Sequence, residues 1–140
     1  MAIKYPVAPG TIVLCDYALG GFREPEMVKR RPAIVVSPRL RHRDHLCTVV
    51  PLSSKPNIAV VEYVVELSFL RPLPPPFDNE TAWAKCDMLA TVSFARLDLF
   101  RTQRDSSGKR QYITPKLPEA DFKRVQQGIL FALGIKHFQL

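Results

Sequence analysis

The chain has only three cysteines, Cys15, Cys47 and Cys86, and no two of them form a CxxC pair. Zinc-ribbon and dithiol redox chemistry therefore have no support, and each thiol, set in an apolar strand-like segment, reads as buried and reduced. Long apolar runs are also missing. The opening residues, MAIKYPVAPG, lack the uninterrupted apolar core of a signal peptide, and no stretch reaches the length of a membrane span. The expected location is the cytoplasm. No repeat occurs, and the one biased segment is the proline run RPLPPP, Arg71 to Pro76. Acidic residues are scarce: thirteen Asp and Glu face twenty Lys and Arg, a net charge of +7. Such an excess favours polyanionic partners. No basic amphipathic helix rich in Trp or Phe is present for a membrane face to use, which leaves nucleic acid or an acidic protein segment.

What is present fits one β-rich domain over residues 1–140, with 46% apolar residues to build a core. Pro9-Gly10 marks a turn, after which β-branched and aromatic residues predict a strand over Thr11–Ala18. Arg31–Ser37 follows as a second strand, apolar without alternation and so expected to be buried on both faces. A third spans Leu46–Ser53, with Pro51 implying an edge or a bulge. Val60–Leu67 alternates, placing Val61, Tyr63, Val65 and Leu67 on one face and Glu62 and Glu66 on the other. The proline run reads as an extended connection, Thr81–Val92 as a fifth strand, and Phe94–Phe100 as a short helical turn before a polar loop through Ser106-Ser107-Gly108. The end is helical: Pro118 suits the first position, Glu119 and Asp121 the positive end and Gly134 the stop. Phe122, Val125, Ile129, Leu130 and Leu133 form its apolar stripe. Five short strands closed by one helix predict a small twisted barrel with a C-terminal helix.

Two segments could carry chemistry. Lys29, Arg30 and Arg31 crowd the mouth of the second strand, directly before Pro32. Arginine offers five fixed donors that match a phosphate, yet for an isolated Arg-Arg pair a solvated loop charge is the commoner reading. Side chains alternate along a strand, so Arg30 and Arg31 point to opposite faces and only one can serve a given cleft. Ser53 and Ser54 raise the same question of direction, and a hydroxyl here either binds phosphate or bonds its own backbone in a turn. His42 and His45, in the charged connection RLRHRDH, lack a third nearby ligand and are read as a solvated basic loop; no metal site is expected. Glu24 and Glu26 read as surface charges in a glycine-opened loop, and Asp87 as a rim residue.

The pieces PGTIVLCDY, KRRPAIVVSP, TVVPLSS and TVSFARL, in this order and spacing and followed by a helix ending in ALGI, resemble the MazF/PemK family of type II toxin–antitoxin ribonucleases. The resemblance runs from Pro9 to about Ile135. It implies an SH3-like small β-barrel, usually a homodimer, cutting single-stranded RNA at short sequences with no metal or other cofactor and leaving a 2′,3′-cyclic phosphate and a 5′-hydroxyl. It implies Arg31 and Ser53 as catalytic residues and Lys29, Arg30, Ser54, Asp87 and Thr91 as RNA contacts. Relatives often carry arginine where this chain has Ala90. The resemblance also implies a cognate antitoxin with an acidic, disordered tail, and a mobile loop from Gly20 to Lys29 that the tail displaces. Two other readings remain: a non-catalytic CcdB-like toxin that binds DNA gyrase, and a barrel that binds RNA without cutting it.

Overall fold

The structure is a computed structural model, and it describes residues 2–57 and 59–136. Among the described residues nine strands, β1 (Ile12–Asp16), β2 (Arg30–Val35), β3 (Leu46–Ser53), β4 (Val64–Ser68), β5 (Thr81–Lys85), β6 (Ala90–Ser93), β7 (Leu97–Asp98), β8 (Phe100–Arg104) and β9 (Arg110–Ile113), precede one α-helix, α1 (Glu119–Ala132). The first seven form one sheet in the order β4-β5-β3-β2-β1-β7, with β6 also on β3; β8 and β9 form a separate hairpin. The fold is mainly β with a C-terminal helix, as the sequence implies.

β3 organises the sheet. One side pairs through its middle with β2 (Ala33↔Pro51, Val35↔Val49). On its other side Leu46–Val49 pairs with β6 and Leu52–Ser53 with β5. Pro51 therefore occupies the gap between two ladders, where the partner changes, rather than a sheet edge. This change also explains why the segment 81–92 is not one strand. It serves opposite ends of β3, so the chain must break between β5 and β6, and it does so in a 3-10 turn, Cys86–Met88. A second 3-10 turn, Phe94–Arg96, joins β6 on β3 to β7 on β1, completing a ring β1-β2-β3-β6-β7 through covalent chain. Among the described residues no ladder closes that ring.

Alternation along β1 to β3 divides the core in two. Val13, Cys15, Ala33, Val35, Cys47, Val49 and Tyr17 pack with Val92, Phe94 and Leu97 on one face. Ile12, Leu14, Ile34, Val50 and Leu52 pack on the other with Val65, Leu67, Phe100 and Val125 of α1. Burial on both faces is the physical reason for the unbroken apolar runs. Helix α1 comes close enough that a Cβ on Gly128 would stand 2.8 Å from the Cys86 Sγ and 3.2 Å from Val65. Pro118 is the cap rather than the first helical residue, and Gly134, at φ +75°, ends the helix, with Ile135 N donating to Leu130 O at 2.9 Å.

Further expectations need correction: the helical turn expected over Phe94–Phe100 ends at Arg96, where Leu97–Asp98 joins β1 as a strand. The predicted strand over Val60–Leu67 begins only at Val64, and Val60 is fully exposed. The polar stretch around Ser106-Ser107-Gly108 is the tip of the β8–β9 hairpin. There one Asp105 carboxylate oxygen accepts from Ser107 N, Ser107 Oγ and Lys109 N at 2.9, 2.6 and 2.9 Å. Both strands are largely exposed, so no apolar alternation marks them.

Candidate phosphate-binding cleft

The β1–β2 ladder places Cys15 opposite Arg31 and Asp16 opposite Arg30. Continued past Ala33↔Pro51, the β2–β3 register sets Arg31 opposite Ser53. Arg31 shares its face with Ala33 and Val35 and is half-buried, whereas Arg30 is exposed. The strand mouth thus turns one guanidinium inward and leaves its neighbour in solvent.

A cleft of about 350 Å³ opens at this end of the β2–β3 pair. Lys29, Arg30 and Arg31 line it from β2 and its approach, and Ser53, Ser54 and Lys55 from the end of β3. Both arginines thus border the cleft, contrary to the expectation that only one could serve it, because the cleft opens at the strand ends and reaches both faces. Its far wall is apolar, built by Phe69, Leu73, Pro76 and Phe77. Four cations line this cleft and no carboxylate does, so its potential is positive and suited to an anion. Opposed cationic and aromatic walls are what a single-stranded polynucleotide uses, one for backbone and one for bases.

Burial pulls the Arg31 pKa below the usual arginine value, with the neighbouring Tyr17 acting in the other direction. Arginine nonetheless remains protonated in proteins, so the group is a fixed cation. Its Nε is buried without a hydrogen-bond partner among the described residues. Ser53 Oγ accepts from Lys55 N at 3.1 Å, which leaves the hydroxyl proton free to donate into the cleft. The turn reading and the phosphate reading of Ser53 are therefore compatible. Ser54 is exposed and makes no hydrogen bond among the described residues.

The cleft gathers Lys29, Arg30, Arg31, Ser53 and Ser54, but Asp87 and Thr91 lie outside it. Asp87 sits exposed on the Cys86–Met88 turn. The Thr91 hydroxyl is 2.7 Å from that of Thr48 across the β3–β6 ladder. Lys55, Phe69, Leu73 and Phe77 were not anticipated as lining. The signal available was the pair of phenylalanines flanking the proline run, since an extended connection that holds no hydrogen-bonded ladder can still form a wall. Among the described residues no group of three His, Cys, Asp or Glu could hold a metal ion. His45 instead packs edge-on against Phe94, with ring centroids 5.7 Å apart.

The loop after β1 is strapped from a distant part of the chain. Arg96 donates from Nη1 to Asp16 O at 3.1 Å and from Nη2 to Gly20 O at 2.6 Å. Its guanidinium lies 4.7 Å from the Phe22 ring centroid, and Phe22 meets Tyr17 edge-on at 5.3 Å. Further along, Arg23 N donates to Glu26 Oε1 at 2.9 Å, so Glu26 is a turn-former.

This architecture agrees with that of known proteins. The fold superposes on an endoribonuclease from a mycobacterial species solved in complex with its cognate antitoxin, at a TM-score of 0.63 and 18% identity, covering 94% of this chain and 99% of that one. It also superposes on MazF from Deinococcus radiodurans at a TM-score of 0.59 and 18% identity, covering 93% and 98% of the two chains. An uncharacterized protein of Haemophilus influenzae is 32% identical over 135 residues, covering 89% of this chain and 88% of that one. The family model for the PemK-like, MazF-like toxin of type II toxin–antitoxin systems matches residues 8–133, and the chain belongs to that family.

Proposed function

We propose that the protein is a metal-independent endoribonuclease that cleaves single-stranded RNA within the Arg31–Ser53 cleft. The observation carrying this reading is that the inward-facing guanidinium and a serine hydroxyl with a free proton line the same cleft, among four cations and no carboxylate. In the reaction a 2′-oxygen attacks the adjacent phosphorus and loses its proton, the bond from phosphorus to the 5′-oxygen breaks, and that oxygen takes up a proton. The products are a 2′,3′-cyclic phosphate and a 5′-hydroxyl. Negative charge grows on the non-bridging oxygens as the phosphorane forms, and preorganised donors at that position stabilise the transition state more than the ground state. Arg31 supplies a permanent charge and Ser53 one donor. Single-stranded substrate follows from in-line geometry, which a regular duplex backbone does not permit. Lys29, Arg30 and Lys55 hold flanking phosphates while Phe69 and Phe77 offer base-stacking surface.

The same cleft suits an acidic, disordered antitoxin tail, whose carboxylates would occupy the cationic rim and exclude RNA. As in relatives, the toxin would act as a homodimer. The reading is tested with purified protein and a long RNA in the presence of a chelator. Expected are discrete cuts ending in a cyclic phosphate, and an Arg31→Ala variant that folds normally but cleaves about 10²–10³-fold more slowly. RNA that is bound but left intact, or full activity in Arg31→Ala, overturns it.

A further inference from the structure

Two buried side-chain polar atoms among the described residues have no hydrogen-bond partner: the Tyr17 hydroxyl and Arg31 Nε. They are neighbours. The ladder puts Cys15 opposite Arg31, and Tyr17, two residues on, keeps the same face just past the end of β1. Tyr17 is 2% exposed and among the largest fully buried side chains. The Cys15 thiol on the same face lies beside this hydroxyl, but a thiol is a weak partner. Phenylalanine would meet the packing without the cost of burying a hydroxyl, so the oxygen's acceptor side calls for a reason.

We infer that Tyr17 is a positioning residue for Arg31, its phenol oxygen accepting the Nε–H and so fixing the plane of the guanidinium when the outer nitrogens engage a phosphate; this rests on the nuclease reading of the cleft. A guanidinium binds an oxyanion through a planar fork, and either its Nε edge or its outer edge can be offered. Burial of Nε withholds the first edge from substrate. An acceptor behind Nε then sets the rotation about the last side-chain bonds, which is the freedom a half-buried arginine otherwise keeps. The ring carrying that acceptor is itself held, because Phe22 packs against it edge-on and Arg96 covers Phe22. Burial moves the phenol far above its ordinary pKa, so it stays neutral and acts as an acceptor and not as a base.

The test pairs spectroscopy with kinetics. Hydrogen exchange at the arginine Nε–H is followed by NMR in protein labelled at arginine, with inorganic phosphate as the probe, and the Arg31 signal is identified by its loss in Arg31→Lys. In the wild type this proton is expected to be protected, and Tyr17→Phe should exchange about tenfold faster with the fold unchanged. Equal exchange in the two proteins overturns the inference, whether or not RNA is cut. In cleavage assays Tyr17→Phe should lower kcat about tenfold with KM nearly constant, the pattern of a lost transition-state interaction. On an Arg31→Lys background, which has no Nε–H, the same change should cost nothing; an equal cost on both backgrounds would mean a packing role only. Failure of the wild type to cut RNA, with the exchange difference intact, would defeat the nuclease reading and leave the Tyr17–Arg31 contact standing.

Discussion

Replacing Ser53 by alanine separates the two serines at the end of β3. The β2–β3 register sets Ser53 opposite Arg31, and Ser54, one residue on, belongs to the other face. A hydrogen bond to a charged group contributes about 1.5–3 kcal/mol, or about 10–160-fold in rate if it is made only in the transition state. Ser53 is half-buried rather than dry, and it offers one proton while its oxygen is engaged by Lys55 N. The lower part of that range is therefore expected, about 10–30-fold for Ser53→Ala, against less than about twofold for Ser54→Ala. Ser53→Thr keeps the donor and should keep the rate. Single-turnover cleavage of an end-labelled RNA at saturating protein isolates the chemical step, and thermal melting guards against a folding artefact. Ser53→Ala at the wild-type rate, or a larger loss in Ser54→Ala, refutes the geometry argued for the cleft.

Three other perturbations probe the cleft rim and the core. Lys55→Ala should weaken RNA binding and flatten the dependence of log affinity on log salt by about 0.7, the contribution of one phosphate contact on a single strand; a titration at several salt concentrations checks it. Gly128→Ala gains about 1 kcal/mol of helix propensity, but its Cβ meets Cys86 Sγ at 2.8 Å, and overpacking costs about 1–3 kcal/mol, so denaturant titration should show net destabilisation, relieved when Cys86→Ala is added. Burial raises the Cys15 thiol to about 11 and the Cys86 thiol to about 12. Both folded values lie above the unfolded ones, so this stability is fully present below about pH 9 and is lost as pH rises toward the folded values. Unfolding midpoints should fall between pH 9 and 11, more shallowly in Cys86→Ala.

The strands with two buried faces were legible because an apolar run has one physical cause, and β3 has the expected limits, exposed Leu46 and half-buried Ser53. The break between β5 and β6 was not, since Trp83, Met88, Leu89 and Val92 suit one long strand as well as two short ones, and only the division of β3 between partners forces the turn. The β8–β9 hairpin was hidden by its exposure, which removes the alternation that marks a strand. At the candidate cleft, the placement of Arg31 and Ser53 at neighbouring strand ends follows from alternation and register. Lys55 and the phenylalanine wall were not legible, because their approach depends on how the proline-rich connection folds back, a long-range matter with no local signature.

The strap formed by Arg96 has a bearing on synthesis. Residues 16–22 acquire their anchor from a side chain far along the chain, as Arg96 reaches Gly20, 76 positions earlier. A nascent chain that has emerged only as far as Ser53 therefore lacks the side chain that holds this loop, and the loop takes its final shape only once Arg96 has been made.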